Sequence, residues 1–195
     1  LQAALNHPRI CFERIIPDEL DPERLVRRAL RGQMIENAGG ERTLQADGVD
    51  IIQFDEPGFN VYMQDAVDWG VQALEIAARG LTCTTAVHIC YGYGIKANND
   101  WKETLGQEWR QYAQVFPALA ASSIQQVSLE CYHSHVPPDL MALLKDKDVM
   151  VGVIDVASDV IETPEQIADT IGMALQHVPR NRLFPCTNCG LAPMS

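Results

Sequence analysis

The sequence predicts an α/β protein of the (β/α)8 TIM-type barrel class, with the C-terminal part of such a barrel, or an incomplete barrel, in this chain. Three observations carry that expectation. From Gly48 onward, short β-branched segments alternate with stretches of helical apolar spacing. The connections between them are short, as in a parallel sheet covered by helices. The polar and reactive residues Asp55, His88, Cys90, Glu130, Asp155 and Cys189 close the strand-like segments, at the edge where a barrel carries its active site. An open doubly wound sheet would use the same edge near a switch point. No Gly-x-Gly-x-x-Gly follows a strand, so a nucleotide-binding fold has little support.

The elements follow in order. Arg9–Ile16 reads as a possible strand and Asp21–Met34 as a charged helix, whereas Glu36–Leu44 is irregular. Val49–Phe54 is a short β-branched strand, followed by an amphipathic helix across about Met63–Arg79. Thr85–Cys90 is the next strand, and Trp101–Ala121 shows apolar residues at helical spacing. Val127–Cys131 is a third strand, after which Pro137-Pro-Asp-Leu opens a short helix to about Lys145. Val149–Ile154 is a fourth. Thr163-Pro-Glu-Gln supplies an N-cap, a proline at the first helical position and an early acid, starting a helix to about His177. Leu183–Phe184 is a fifth strand, leading to Cys186 and Cys189. These are five βα-type repeats. A complete barrel takes about 250 residues, so the 195 residues read as one barrel domain in which 1–47 repeat the pattern poorly.

Composition narrows the function classes. Hydrophobic residues make up 47% and charged residues 21%, as in an ordered globular protein. The formal net charge of −11 repels polyanions, so neither nucleic acid nor an anionic membrane is expected as a partner. No apolar run approaches the roughly 20 residues of a membrane helix, and no signal-peptide pattern opens the chain. The six cysteines (Cys11, Cys83, Cys90, Cys131, Cys186, Cys189) lie scattered through strand-like segments. Reduced thiols or metal ligands are therefore expected rather than disulfides, with a cytoplasmic location.

The chemistry concentrates on Thr85-Ala-Val-His-Ile-Cys90. Side chains two apart on a strand share a face, so an imidazole and a thiol project together. With Glu130 and Cys189 at two other strand ends, the set comprises one imidazole, two thiolates and one carboxylate, which zinc accepts in a tetrahedron. Four protein ligands would also suit a structural ion. The carboxylate is the weakest of them and the one an incoming thiolate could displace, and ligands from separate strand ends favour a substrate site. Blander readings stand beside this one. A His-x-Cys pair is commonly core packing, and Cys186-Thr-Asn-Cys189 alone could be half a zinc ribbon or a redox pair, although no second Cys-x-x-Cys completes a ribbon. His133 and His135 are competing loop ligands, better read as solvated or supporting groups. Cys83 and Cys131 read as buried thiols, Tyr91-Gly-Tyr-Gly94 as a turn or a cover, and Trp101 and Trp109 as core or interface residues.

Five segments in order resemble the C-terminal catalytic barrel of cobalamin-independent methionine synthase, in its short single-barrel form. Ile52-Gln-Phe-Asp-Glu-Pro57 is similar to that family's Gln-x-Asp-Glu-Pro strand, Val87-His-Ile-Cys90 to its His-x-Cys strand and Ser128-Leu-Glu130 to its third-ligand strand. Gly152-Val-Ile-Asp-Val-Ala-Ser158, with the helix opened by Thr163-Pro-Glu-Gln-Ile167, is similar to its Gly-Val-x-Asp-x-x-Ser stretch, and Asn188-Cys-Gly-Leu191 to its closing Cys-Gly-Leu. The match runs from about Gly48 to Leu191. It implies a zinc-dependent methyltransferase that makes methionine from homocysteine. His88, Cys90, Glu130 and Cys189 would be the zinc ligands. Asp55 would hold the amino group of homocysteine, and Glu130 would loosen from zinc as the substrate thiolate binds.

The departures bear on the methyl donor. Ala157 stands where the family carries a His that belongs to handling the folate leaving group, Asn188 replaces an Asp, and Ala192-Pro193-Met194 replaces basic residues. The resemblance therefore leaves the donor open between methyltetrahydrofolate and a corrinoid or other carrier delivered by a partner. Two other functions remain open. A zinc methyltransferase of the uroporphyrinogen-decarboxylase-like group would methylate another thiol, such as coenzyme M, from methylcobalamin; such a thiol, lacking an amino group, has no need of Asp55. A non-catalytic barrel would hold a closed structural zinc.

Overall fold

A computed structural model of the chain describes residues 10–14 (backbone only), 39–90, 100, 103–105, 109–110, 112–131, 136–156 and 159–191. Its centre is a six-stranded, wholly parallel sheet: β1 (Ile10–Arg14), β2 (Ile51–Asp55), β3 (Thr84–Ile89), β4 (Gln126–Glu130), β5 (Asp148–Ile154) and β6 (Leu183–Thr187). The strands neighbour one another in sequence order without a reversal. A doubly wound sheet must reverse at its switch point; monotonic winding is that of consecutive strands in a (β/α)8 barrel. The doubly wound alternative is thereby set aside.

Alternation along the strands sorts their two faces. Phe54, Val87, Val127, Val149 and Leu183 lie in one register row, all buried in a single cluster with residues of the surrounding helices. The adjacent row, on the opposite face, is Asp55, His88, Ser128, Met150 and Phe184. One step further along that face, Glu130, Gly152 and Cys186 align. A slip of one residue would exchange these sets, so burial of the Val-rich face fixes which groups meet on the other.

The helices depart from expectation in instructive places. Residues 39–46, expected to be irregular up to Leu44, form α1 (Gly39–Ala46). Its attachment is largely polar, which an apolar-spacing argument does not register. Glu41 is buried, and Gln45 Oε1 accepts the amides of Thr82 and Cys83 at 2.5 and 3.0 Å, with Leu44 packed against the core. The helix expected over Met63–Arg79 is a stretch that includes a π-helical turn at Ala66–Gly70 and then α2 (Val71–Ala78). A Cβ on Gly70 would sit 2.9 Å from the Phe59 ring, so glycine is what lets that ring pack there.

The Trp101–Ala121 helix is shorter than its spacing predicts: the described helix is α3 (Tyr112–Ala121). Residues 103–105 and 109–110 are turns or irregular, and the apolar Leu105 and Trp109 reach the core from there. Thr104 and Gly106 are poor helix formers. The segment after β4 is a 3-10 helix, Pro138–Leu144. Finally α4 (Pro164–Ala174) starts where the sequence places it, with the Thr163–Gln166 capping box formed in both directions. Asp21–Met34, Tyr91–Gly94, Trp101, His133, His135, Ala157 and residues 192–194 lie outside the described residues.

Candidate metal centre

β3 places His88 and Cys90 at its C-terminal end, β4 places Glu130, and the turn after β6 places Cys189. One candidate ligand atom from each of these four residues lies within 4.8 Å of every other. Cys90 Sγ and Cys189 Sγ are 3.6 Å apart, and His88 Nε2 is 3.7 Å from Glu130 Oε1. Ligand bonds of 2.0–2.3 Å give a zinc tetrahedron edges of about 3.3–3.8 Å, so both separations match the edges of such a site. His88 and Glu130 are each 3% exposed, while Cys90 and Cys189 are half-buried. The cluster is therefore closed on its imidazole and carboxylate side and more accessible on its sulfur side.

One buried atom argues for a missing partner. His88 Nδ1 meets Ser128 Oγ at 3.0 Å, whereas Nε2 is buried without a hydrogen-bond partner and faces Glu130. An imidazole fixed through one nitrogen and aimed through the other is the usual arrangement of a metal-ligating histidine. Electrostatics agree. Burial pushes the His88 pKa down, but its polar contact with Cys90 and the negative charge of Cys90, Glu130 and Asp55 outweigh it, and the net direction is up. The Cys189 thiol is also pushed up, through its hydrogen bond with Cys90, burial, and the charge of Cys90 and Glu130. Gathering this much negative charge is costly unless a cation shares the site. The donor set thus fits a dication.

Asp55 stands beside His88 in register on β2, half-buried, with Gln53 Nε2 donating to its Oδ1 at 3.2 Å. Behind it, burial and the Asp55 charge push the Glu56 carboxyl up to about 8. Asp155 closes β5 but is not among the grouped ligands. Its amide donates to the buried Glu162 side chain at 2.6 Å, which brings Glu162 to the strand end. Cys186 is likewise no member of the cluster: its thiol is hydrogen-bonded with Ser128 and pushed up to about 11 by burial. The Cys-x-x-Cys spacing is therefore not a paired metal clip. Cys83 and Cys131, expected to be buried, are half-buried, and Trp109 is a core residue.

Ser128 is the supporting residue that sequence spacing overlooked. The available signal was its place two residues before Glu130, on the same strand face; its pairing with His88 needs the β3–β4 register.

Comparison with known proteins accords with this geometry. Residues 32–195 match the family model described as cobalamin-independent synthase, catalytic domain. A methionine synthase of Saccharolobus islandicus (strain Y.G.57.14 / Yellowstone #1) is 31% identical over 158 residues, covering 79% of this chain and 41% of its own. One from Sulfurisphaera tokodaii is 27% identical over 144 residues, covering 74% and 37%. Among solved structures, a B12-independent methionine synthase from Shewanella sp. W3-18-1, in complex with selenomethionine, superposes with a TM-score of 0.76 at 59% identity, covering 81% of this chain and 46% of that one. The chain spans less than half the length of each of these relatives.

Proposed function

From the chain's membership of the cobalamin-independent synthase catalytic-domain family, we propose that it transfers a methyl group to the sulfur of homocysteine, making methionine, with zinc held by His88, Cys90, Glu130 and Cys189. The observation that carries this reading is the convergence of those four ligand atoms within 4.8 Å at the strand ends. A bound zinc lowers the pKa of a coordinated thiol while leaving its sulfur nucleophilic.

The chain's own residues supply the rest. Ser128 holds the His88 ring so that Nε2 faces the cluster. Asp55, oriented by Gln53, would hold the substrate ammonium. Anchoring the amino group at one end fixes where the sulfur lies at the other, and such positioning supplies much of the rate of a bimolecular displacement. The substrate thiol gives up its proton and its sulfur forms the new bond to methyl, while the donor leaves with the electron pair of the bond that breaks. An acidic group in this place favours a thiol with an amino group over one of the coenzyme M kind. The selenomethionine in the Shewanella structure, an analogue of the product, supports the same substrate class.

The donor is methyltetrahydrofolate or a corrinoid-type carrier, and one experiment addresses both the reaction and the donor. Zinc-loaded protein is given homocysteine with either methyltetrahydrofolate or methylcobalamin, and methionine is measured by mass spectrometry. Methionine from one donor, abolished by Cys189→Ser, is expected. Methionine from neither, or the same yield from Cys189→Ser, contradicts the reading.

A further inference from the structure

We propose that Asn188 is a positioning residue for the metal cluster: its buried side-chain amide, seated over Gly152, ties the strand end that carries Glu130 to the turn that carries Cys189. This rests on the metal reading above and deepens it.

Glu130 and Cys189 belong to β4 and to the turn after β6, with β5 between them. Adjacent strands lie about 4.8 Å apart, so ladder hydrogen bonds cannot link the two ligand-bearing ends directly. Asn188 makes that link. It has 0% exposure, its backbone N–H donates to Ile154 O on β5 at 2.8 Å, and its Oδ1 accepts the Cys131 N–H at 3.2 Å. Cys131 follows Glu130 and Asn188 precedes Cys189, so one side chain joins the immediate neighbours of two ligands.

Gly152 makes the crossing possible. It pairs with Glu130 on one side and with Cys186 on the other, where the β5–β6 register slips between Gly152 and Ile154. A Cβ there would run into Asn188 Oδ1 and lie 2.8 Å from Asn188 Cα and 2.9 Å from Leu129 O. Two of the three neighbours are backbone atoms, which cannot swing aside. Glycine and asparagine therefore form one device. A side chain passes over β5 only because β5 has none at that point, and a ligand separation that three strands would otherwise leave loose is set by a hydrogen bond. Loss of such a support weakens metal binding by about 10–100-fold in comparable sites.

The test is a cobalt(II) titration of metal-stripped protein, following the thiolate-to-cobalt charge-transfer band and the visible bands of tetrahedral cobalt, with the metal-free melting temperature recorded alongside. Asn188→Leu keeps the volume without the acceptor, Asn188→Asp keeps the acceptor, and Gly152→Ala evicts the amide. Asn188→Leu and Gly152→Ala are expected to lose about 10–100-fold in cobalt affinity, with weakened tetrahedral bands, while Asn188→Asp stays within about threefold of wild type. Should Asn188→Leu not melt cooperatively, Asn188→Ala removes the acceptor without adding bulk and takes its place. Wild-type affinity and spectrum in the acceptor-free variant overturn the proposal, as does an equal loss in Asn188→Asp. A wild type with no charge-transfer band fails the metal reading itself, and the inference with it.

Discussion

His88 is held at Nδ1 by Ser128 and faces Glu130 through Nε2, and the charged groups around it set how the cluster answers to pH. His88 and Cys189 are both pushed above their ordinary pKa values, His88 because its polar contact with Cys90 and the neighbouring negative charge exceed the burial penalty, Cys189 through its hydrogen bond with Cys90 and through burial. Each must shed its proton to ligate, so protons compete with the metal and lowering the pH weakens binding. Zinc affinity, measured by chelator competition, is expected to fall at least about tenfold per unit from pH 8 to pH 6; an affinity flat across that window contradicts the assignment. At this scale the sequence was informative about the candidate ligands, because a two-residue strand period places His88 with Cys90. It did not reveal the contacts of Ser128 and Asn188, which form between residues 40 and 57 positions apart in the chain.

Among the elements, α4 shows what local chemistry specifies. Thr163 accepts the Gln166 amide while Gln166 Oε1 accepts that of Thr163, and Pro164 occupies the first helical turn. Thr163→Ala removes one of those bonds and is expected to cost about 1 kcal/mol. For a chain of this size that lowers the melting temperature by about 2–4 °C. An unchanged melt by circular dichroism would show that the cap contributes nothing. The strands were legible for a related reason, since a Val/Ile-rich segment bounded by turns has few alternatives. Elements held by tertiary contacts were not. α1 is tied down through Gln45 and the buried Glu41, and the start of α3 is displaced because Leu105 and Trp109 reach the core from non-helical backbone.

Over the whole molecule, winding in sequence order brings the polar row of one sheet face to a single edge. The α/β class was readable from the βα alternation, and the barrel from the family resemblance and the missing Gly-x-Gly-x-x-Gly; both candidate folds put strand ends at one edge, so the physical distinction between them lies in the strand order. A zinc ion held by residues from three strand ends would be coupled to the fold. With zinc at about a thousandfold its dissociation constant, stability rises by about 4 kcal/mol, or about 8–16 °C in melting temperature. Stripping the metal with a chelator should reverse that shift, and a melt indifferent to zinc would place the ion outside the folded core. The most direct test of the central claim is X-ray absorption at the zinc edge, before and after homocysteine is added. About one zinc per chain with two sulfur ligands is expected, rising to three with homocysteine, and no such site in Cys189→Ser. A sulfur count that does not change with homocysteine, or a folded and reduced protein that takes up no zinc, would contradict it.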